Sequence, residues 1–494
     1  MGSFNRREFL QQSAVISAAM GGLSAADFVR AAPAESRTVG PNDTLRVAVV
    51  GVKGRGMSHV GGFNGVNGCE IVTVCDVDEA VIGPAMKAIE GKRKKAPDYV
   101  KDIRKVLEDK SIDIISIATP NHWHALMAIW ALEAGKQVYV EKPVSHNVRE
   151  GRAIVNAARK HKRICQTGTQ SRSTSGMRQS MEYIHSGKIG KVDLAYGTCF
   201  KSRKSIGKVN GEQPIPATLD YDLWCGPAPK LPLMRSKLHY DWHWVWAYGN
   251  GDLGNQGIHE MDKARWGLGK MELPKSVMSI GGRFGYVDDG ETANTQLCFF
   301  DYGDSELIFE VRGLPANSPY PGKIIEDKKG ANFVGNIFYG DKGIVVCPSY
   351  ASGIVLDKDL NVVTKFGGGG DDGHFTNFVK AVRANDQKLL NADILEGHLS
   401  SALCHLGNIS YRLGAEKPMS EVAKVSDRKA DQEAINRMVE HLKSNDVDPA
   451  KAIGRVGPLL EIDPKTERFL GNNEKANAML TREYRKGFEV KDDA

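Results

Sequence analysis

Apolar positions along the chain change their pattern once, near residue 168. Before it they come as short unbroken runs at 45–50, 70–75, 113–118, 137–140 and 164–167. Runs of this kind predict strands buried on both faces. Between them apolar residues recur at helical spacing, as Met57, Val60 and Phe63 do, and again over 100–107, 122–134 and 148–161. Strands alternating with helices predict βαβ units and a doubly wound parallel sheet over residues 43–167. After 168 the crossovers stop. Aromatic-rich strands are predicted at 192–200, 276–284, 292–300, 305–311 and 343–347. Without helices between them they should pair into a large, mostly antiparallel open sheet. A glycine-rich loop at 367–370 precedes two helices, one with Phe375, Phe378, Val379 and Val382 in register and one with Leu395, Leu399, Ala402, Leu406 and Leu413. The fold class is therefore α/β, with a parallel-sheet domain at 43–167 and an α+β domain at 168–414. Residues 415–494 are charged, with an amphipathic helix at 431–442 and a short apolar stretch at 456–460, and are read as an arm wrapping the core.

The start of the chain fits neither pattern. Arg6 and Arg7 precede a modestly apolar stretch at 13–26, followed by Ala32-Pro33-Ala34, an A-x-A cleavage pattern. Paired arginines in this setting resemble a twin-arginine export signal, so residues 1–34 are expected to be removed and the protein to be periplasmic or otherwise exported. The stretch is too short and too rich in Gly and Ser to span a bilayer, and no other run is long enough, so no membrane insertion is expected. The eight cysteines contain no C-x-x-C pair. Unpaired buried thiols suit a protein folded in the cytoplasm before export. At 494 residues the chain exceeds one ordinary core. Its 66 Lys and Arg against 60 Asp and Glu leave a net charge of +6, and no basic stripe interleaves with aromatics, which argues against a nucleic-acid partner.

The stretch 44–56, TLRVAVVGVKGRG, joins the first buried strand to the first helix through Gly51, Gly54 and Gly56. Strand, glycine-rich turn and helix is the arrangement in which backbone amides at a helix start meet a pyrophosphate. Asp76 ends the second strand, where a dinucleotide fold places the acid that accepts ribose hydroxyls. A carboxylate there repels a 2′-phosphate, and Val77 rather than Arg follows it, so NAD is expected in preference to NADP. In G-x-G-x-x-G the middle glycine would fall at Lys53. Gly54 then shifts the close approach by one residue, and the Lys53 ammonium faces the phosphates or solvent. His122 and His124 lack Cys or carboxylate partners nearby, so no metal site is expected.

Four motifs in order carry a resemblance: the glycine turn, Ala118-Thr-Pro-Asn-His-Trp-His124, Glu141-Lys142-Pro143 and Gly257-Ile-His259-Glu-Met-Asp262. Over residues 44–414 the chain resembles the glucose-fructose oxidoreductase / inositol dehydrogenase (Gfo/Idh/MocA) family of NAD(P)-dependent enzymes. The resemblance implies a Rossmann domain, a homodimer or homotetramer built through the second domain's sheet, and a small sugar or polyol substrate. It implies a cofactor held by Gly51, Lys53, Gly54, Arg55, Gly56, Asp76, Thr119, Pro120, Asn121, His122, Glu141 and Lys142. It also implies that Lys142 points into the active site, where its ammonium would bond the reacting oxygen and favour alkoxide-like charge. Alone, an E-K-P triplet is a strand-end lysine before a turn. His259 is the expected general base, because an imidazole titrates near neutrality; a packing histidine at a helix start is the plainer reading. Dehydrogenases of the family carry an Asp four residues before this histidine, and here the position is Asn255. Asp262 is expected to contact substrate or hold its helix.

Tyr240, Trp242, Trp244, Trp246 and Tyr248 alternate, so an extended chain would put all five rings on one face. Such a face would stack on a sugar, with His243 and Asp241 bonding hydroxyls; a strand burying its aromatics reads equally well. Arg172, just after the last strand of the first domain, is a further expected substrate contact, alongside Trp242, His243, Trp246, Asn255 and Asp262. Together these readings point to an exported NAD-dependent oxidoreductase acting on a secondary hydroxyl of a sugar, glycoside or cyclic polyol, with a tightly held nicotinamide. Asn255 keeps open a redox-neutral cycle that eliminates a glycosidic substituent or epimerises a carbon. A non-catalytic nucleotide- or sugar-binding protein is the remaining alternative.

Overall fold

Val47 to Val50 are withdrawn from solvent on both faces, which only the centre of a covered sheet provides. The computed structural model describes residues 44–315 and 333–491; the expected export signal lies outside them. Leu45–Val50 (β1), Cys69–Cys75 (β2), Asp98–Val100 (β3), Ile114–Ile117 (β4), Gln137–Val140 (β5) and Cys165–Thr167 (β6) form a parallel sheet in the order β3-β2-β1-β4-β5-β6. The order reverses at β1, and the crevice beyond the carboxyl ends of β1 and β4 is where open α/β sheets bind ligands.

The helix predicted at 100–107 divides. Its first residue ends β3, and Asp102 then caps the helix Ile103–Glu108 by accepting from Arg104 N at 2.9 Å. A further helix, Gly83–Arg93, escaped the periodicity because only Ala85 and Ile89 on it are buried. The helix Asn121–Glu133 is the opposite case. Eleven of its residues, Asn121 to Ile129 with Ala131 and Leu132, are buried, so it is apolar all round and must be covered on every side.

The second domain is one large mixed sheet. Val192–Phe200 (β7), Ser276–Gly282 (β8), Thr295–Asp301 (β9), Glu306–Arg312 (β10), Phe333–Gly340 (β11), Gly343–Cys347 (β12), Ser352–Leu356 (β13), Val362–Gly367 (β14), Ala415–Pro418 (β15) and Ile453–Val456 (β16) run in the order β14-β13-β12-β11-β7-β10-β9-β8-β16-β15. Only β7 and β10 pair in parallel; the other neighbours along this path are antiparallel. Five strands on this path, β11 and β13 to β16, were not visible as apolar runs. In β14 the exposed Val362 and Val363 mark an open edge rather than a core strand.

Helices Ile258–Gly267 and Ile394–Arg412 cover one face of this sheet. Lys429–Lys443 buries Ala434, Ile435, Met438 and Leu442 on the other. The last residues turn back to the first domain, where Phe488 sits 5.5 Å from the Trp123 ring and 6.4 Å from that of Trp130. The apolar stretch at 456–460 is split between β16 and Leu460–Asp463 (β17), which pairs with β8. All eight cysteines are free thiols, and every one but Cys69 is buried.

The aromatic stretch 240–248 is not a strand. Asp241–Trp244 is a 3₁₀ turn, closed by Val245 N to Trp242 O at 3.2 Å, and Tyr248 N returns to Val245 O. The rings therefore scatter. Trp242 and Tyr248 join a cluster with Trp224, whereas Trp246 packs 6.4 Å from Tyr411 under the Arg412 guanidinium. The alternation in the sequence records separate packing partners, not one face.

Candidate active site

At the carboxyl end of the parallel sheet lies a cavity of about 380 Å³, bounded on one side by the glycine turn. Gly51 has φ +79°, and a Cβ on it would lie 2.8 Å from Thr119 N. A Cβ on Gly56 would lie 1.9 Å from Gly51 O, so this glycine lets the helix start close on the strand and itself stays out of the cavity. The helix Arg55–Gly65 begins with no side chain capping it, which leaves its first amides for an anion. Asp76 Oδ2 accepts from Val52 N at 2.9 Å and Oδ1 from Asp78 N at 3.1 Å. Each oxygen retains a lone pair for a ribose hydroxyl. Burial raises the Asp76 pKa more than these amides lower it. Lys53, exposed at the rim, lines the same cavity in the place of the middle glycine. The residues fit a dinucleotide.

Glu141, Lys142 and Pro143 follow β5. The Glu141 carboxylate is held by Arg55 Nε at 2.7 Å, His59 Nε2 at 3.1 Å and Lys142 N at 3.1 Å. Burial alone would raise its pKa; Arg55 and His59 outweigh that and keep it ionised. Arg55 is spoken for on its other side by Asp371 at 2.7 Å. With Glu141 so engaged, the Lys142 ammonium bonds, among the described residues, only the Asn255 carbonyl. Burial pushes its pKa down from the usual lysine value, more than Glu141 raises it.

The Asn255 carbonyl belongs to a π-helical turn, Leu253–Gly257, that leads into the helix carrying His259. A wide turn of this kind leaves carbonyls outside the regular ladder, and Lys142 uses one. The side chain of Asn255 reaches Asp252, which is in turn gripped by Arg203 at 2.6 and 2.8 Å. His259 lines the cavity with a buried Nδ1 that has no partner among the described residues. Burial, then the neighbouring Lys142, holds it neutral far below the usual histidine range. A ring of uncharged polar groups completes this end: Gln170, Asn255, Gln256, Tyr240 and Tyr350. Tyr350 lies 4.8 Å from the His259 ring and accepts from Gln256 Nε2 at 2.5 Å. His243 stacks on Trp242 at 3.7 Å, and burial keeps it neutral with a pKa of about 3. Its Nδ1 donates to Tyr240 O, leaving Nε2 as the lone-pair nitrogen.

Thr119, Pro120, Asn121, Glu141, Lys142, Asn255, His259, Trp242 and His243 thus share one cavity with Gly51, Lys53, Gly54, Arg55 and Asp76. Five expected residues are elsewhere, Gly56 among them as described above. His122 is buried between Trp224 and Tyr248 and bonds Trp224 O at 2.8 Å, so it holds a loop and does not face the cavity. Arg172 is paired with Asp262 at 2.8 Å and Glu396 at 2.9 Å, and Asp262 also accepts from Ser400. Their charges cancel each other away from the cavity. Trp246 packs at Tyr411, as described above. Gln170, Gln256, Tyr350 and His239 were not expected. Gln256 adjoins a motif residue, but Tyr350 reaches the site from the β12–β13 loop, for which no local pattern exists. Among the described residues, no group of three or more His, Cys, Asp or Glu side chains is placed to hold a metal ion, and no helix is long and apolar enough to cross a membrane.

Residues 45–169 match the family model described as "Oxidoreductase family, NAD-binding Rossmann fold", and residues 184–293 match "Oxidoreductase family, C-terminal alpha/beta domain". Both segments belong to the Gfo/Idh/MocA oxidoreductase family. Among relatives, glycosyl hydrolase family 109 protein 2 of Shewanella sp. is 33% identical over 178 residues, covering 33% of this chain and 39% of that protein. Inositol 2-dehydrogenase of Salmonella typhimurium is 31% identical over 182 residues, 36% of this chain and 53% of that protein. The chain thus spans between two fifths and about half of the length of these curated relatives. The crystal structure of the WlbA dehydrogenase from Bordetella pertussis, in complex with NADH and UDP-GlcNAcA, shares the fold with a TM-score of 0.54 at 19% identity, over 75% of this chain and 97% of that one. The Gfo/Idh/MocA Rossmann segment ends just past β6, and its C-terminal segment takes in β7 and β8 together with the loop and helix that present Trp242, Asn255 and His259.

Proposed function

We propose that the protein is an NAD-dependent oxidoreductase that transfers a hydride between a secondary hydroxyl of a sugar, glycoside or cyclic polyol and the nicotinamide. The observation that carries this is the single cavity in which Asp76 and the glycine turn at one end meet Lys142 and His259 at the other. When bound, NAD supplies the hydride acceptor. Lys142 donates to the reacting oxygen and stabilises the charge that develops on it. His259, neutral at working pH, takes the hydroxyl proton. The uncharged ring of Gln170, Gln256, Tyr240 and Tyr350 suits hydroxyls rather than a charged headgroup, and the Trp242 and His243 faces suit the C–H face of a sugar ring.

A second reading is a redox-neutral cycle, in which transient oxidation acidifies the adjacent C–H and a glycosidic substituent leaves, or a carbon is epimerised, before the hydride returns. Asn255 in place of an acid and a further neutral imidazole, His243, favour it, and the name of the Shewanella relative belongs to a glycosidase family. Purified protein challenged with sugars and glycosides separates the readings. Absorbance near 340 nm that rises and stalls marks a dehydrogenase. Glycoside cleavage without net reduction marks the cycle. No change with any sugar, even after NAD is supplied, leaves only a binding protein. Export through the twin-arginine pathway is part of the proposal and rests on Arg6 and Arg7; replacing both by Lys should leave the protein in the cytoplasm, and unchanged export would refute it.

A further inference from the structure

Residues 201–250, between β7 and the π-helical turn, leave the second domain, help to line the cavity and return. They are fastened to the first domain twice. Just past β2, Leu219 forms a bridge with Asp78, Asp220 N bonds Val77 O at 3.0 Å and Glu79 N bonds Thr218 O at 3.2 Å. There the Asp78 carboxylate accepts from Thr218 Oγ1 at 2.7 Å and pairs with His239 Nε2 at 2.7 Å. At the start of the helix Asn121–Glu133, Trp123 Nε1 donates to Leu223 O at 2.9 Å, and His122 holds Trp224 O. Leu223, Trp224, His239, Tyr240, Trp242 and His243 of this strap line the cavity, with His239 brought beside Asp76 through the Asp78 it grips.

The chain's last described residues close this strap from outside. Arg485 pairs with Asp222 at 2.6 Å and donates to Asp222 O and Gly226 O. Arg482 donates to His122 O at 2.9 Å and pairs with Glu150, and Phe488 is wedged against Trp123. None of these tail residues lines the cavity. Arg485 holds the strap itself, and Arg482 and Phe488 hold His122 and Trp123, which in turn hold it.

From this we infer that residues 218–243 and 482–488 form a cofactor-retaining clasp: the dinucleotide lies beneath the strap, with His239 closing over its adenosine end beside Asp76, and stays in place between turnovers. The inference rests on the dinucleotide reading of the cavity and on the tightly held nicotinamide expected from the sequence, and adds which residues of this chain hold it. Leaving would require undoing the Asp78–His239 latch or lifting the strap against Arg485. An enzyme arranged in this way must re-oxidise or re-reduce its nicotinamide where it sits, so a second small substrate or the redox-neutral cycle has to return the hydride.

The test uses the full chain, purified without added nucleotide. Dinucleotide is measured in the acid extract after gel filtration, and release of loaded NADH is followed by fluorescence on dilution into a scavenging dehydrogenase. Wild type should carry close to one dinucleotide per chain through the column. His239→Ala removes the latch and Arg485→Ala the outer clasp, and each should release NADH at least about tenfold faster with an unchanged far-UV spectrum and an intact fold. Val363→Ala, on the exposed edge strand β14 and outside the cavity lining, should release it at the wild-type rate. Release at the wild-type rate from both folded clasp variants, or loss of the dinucleotide from wild type on the column, would overturn the clasp while leaving the oxidoreductase reading intact. Failure of wild type to take up any supplied dinucleotide would overturn both.

Discussion

The charge clusters around Arg172 and around Lys142 differ in how their charges are partnered. At Arg172 the set is closed: Arg172 meets Asp262 and Glu396, and Arg265 meets the same two carboxylates. Two cations face two anions, and Ser400 fills a remaining lone pair. At Lys142 the set is open. Glu141 is consumed by Arg55 and His59, and the ammonium is left with a carbonyl and the cavity. The Arg172 set is the more deeply buried; at Lys142, Arg55 and Asp371 are partly exposed. What separates a structural network from a reactive one is a cation that no carboxylate contacts.

The strongest test of this contrast is Lys142→Ala, for which kcat/KM should fall by about 10²–10⁴-fold while the dinucleotide stays bound and the melting temperature holds. A variant that turns over like wild type would remove Lys142 from the chemistry. Asp262→Ala should do the reverse. Stranding Arg172 and Arg265 should cost about 3–5 kcal/mol of stability, read from denaturant unfolding, with substrate affinity of the folded fraction unchanged. If Asp262→Ala instead melts normally and loses substrate affinity, the closed cluster belongs to the site after all.

The pH profile sharpens the comparison further. Burial lowers the Lys142 pKa, so its ammonium is lost at a lower pH than an ordinary lysine, and kcat/KM should fall as pH rises through that value. Lys142→Arg stays charged and should move this alkaline limb upward. His259 is held neutral well below 6.5, so no acid limb should appear near the normal histidine value. The smallest effects distinguish two tryptophans that the sequence treats alike. Trp242→Ala should raise KM by about fivefold, the worth of about 1 kcal/mol of ring contact, and Trp246→Ala should leave KM within about twofold because it faces Tyr411. Equal effects would restore a common face.

The parallel domain was legible in the sequence because its strands are buried on both sides and so read as unbroken runs, and because a helix start facing a phosphate needs glycines at fixed positions. Lys142 and His259 stood in motifs tied to strand and helix ends and were likewise legible. The aromatic stretch was not. A period of two predicts a face only if the chain stays extended, and a 3₁₀ turn at Asp241–Trp244 broke that condition through backbone bonds the pattern does not encode. Arg172 and Asp262 misled for a related reason: each looks like a spare polar group until its partner, distant in sequence, is known. Tyr350 and His239 were invisible because their place in the cavity is fixed by β-sheet order and strap anchoring, both of them long-range.

Phe488 carries a consequence for how the protein is made. Its ring fills the space between Trp123 and Trp130 on a helix synthesised more than 350 residues earlier. That side of the helix is covered only once residue 488 has been made, so the core of the first domain closes long after its own sheet has left the ribosome. A chain stopped before residue 488 would lack this ring against the two indoles.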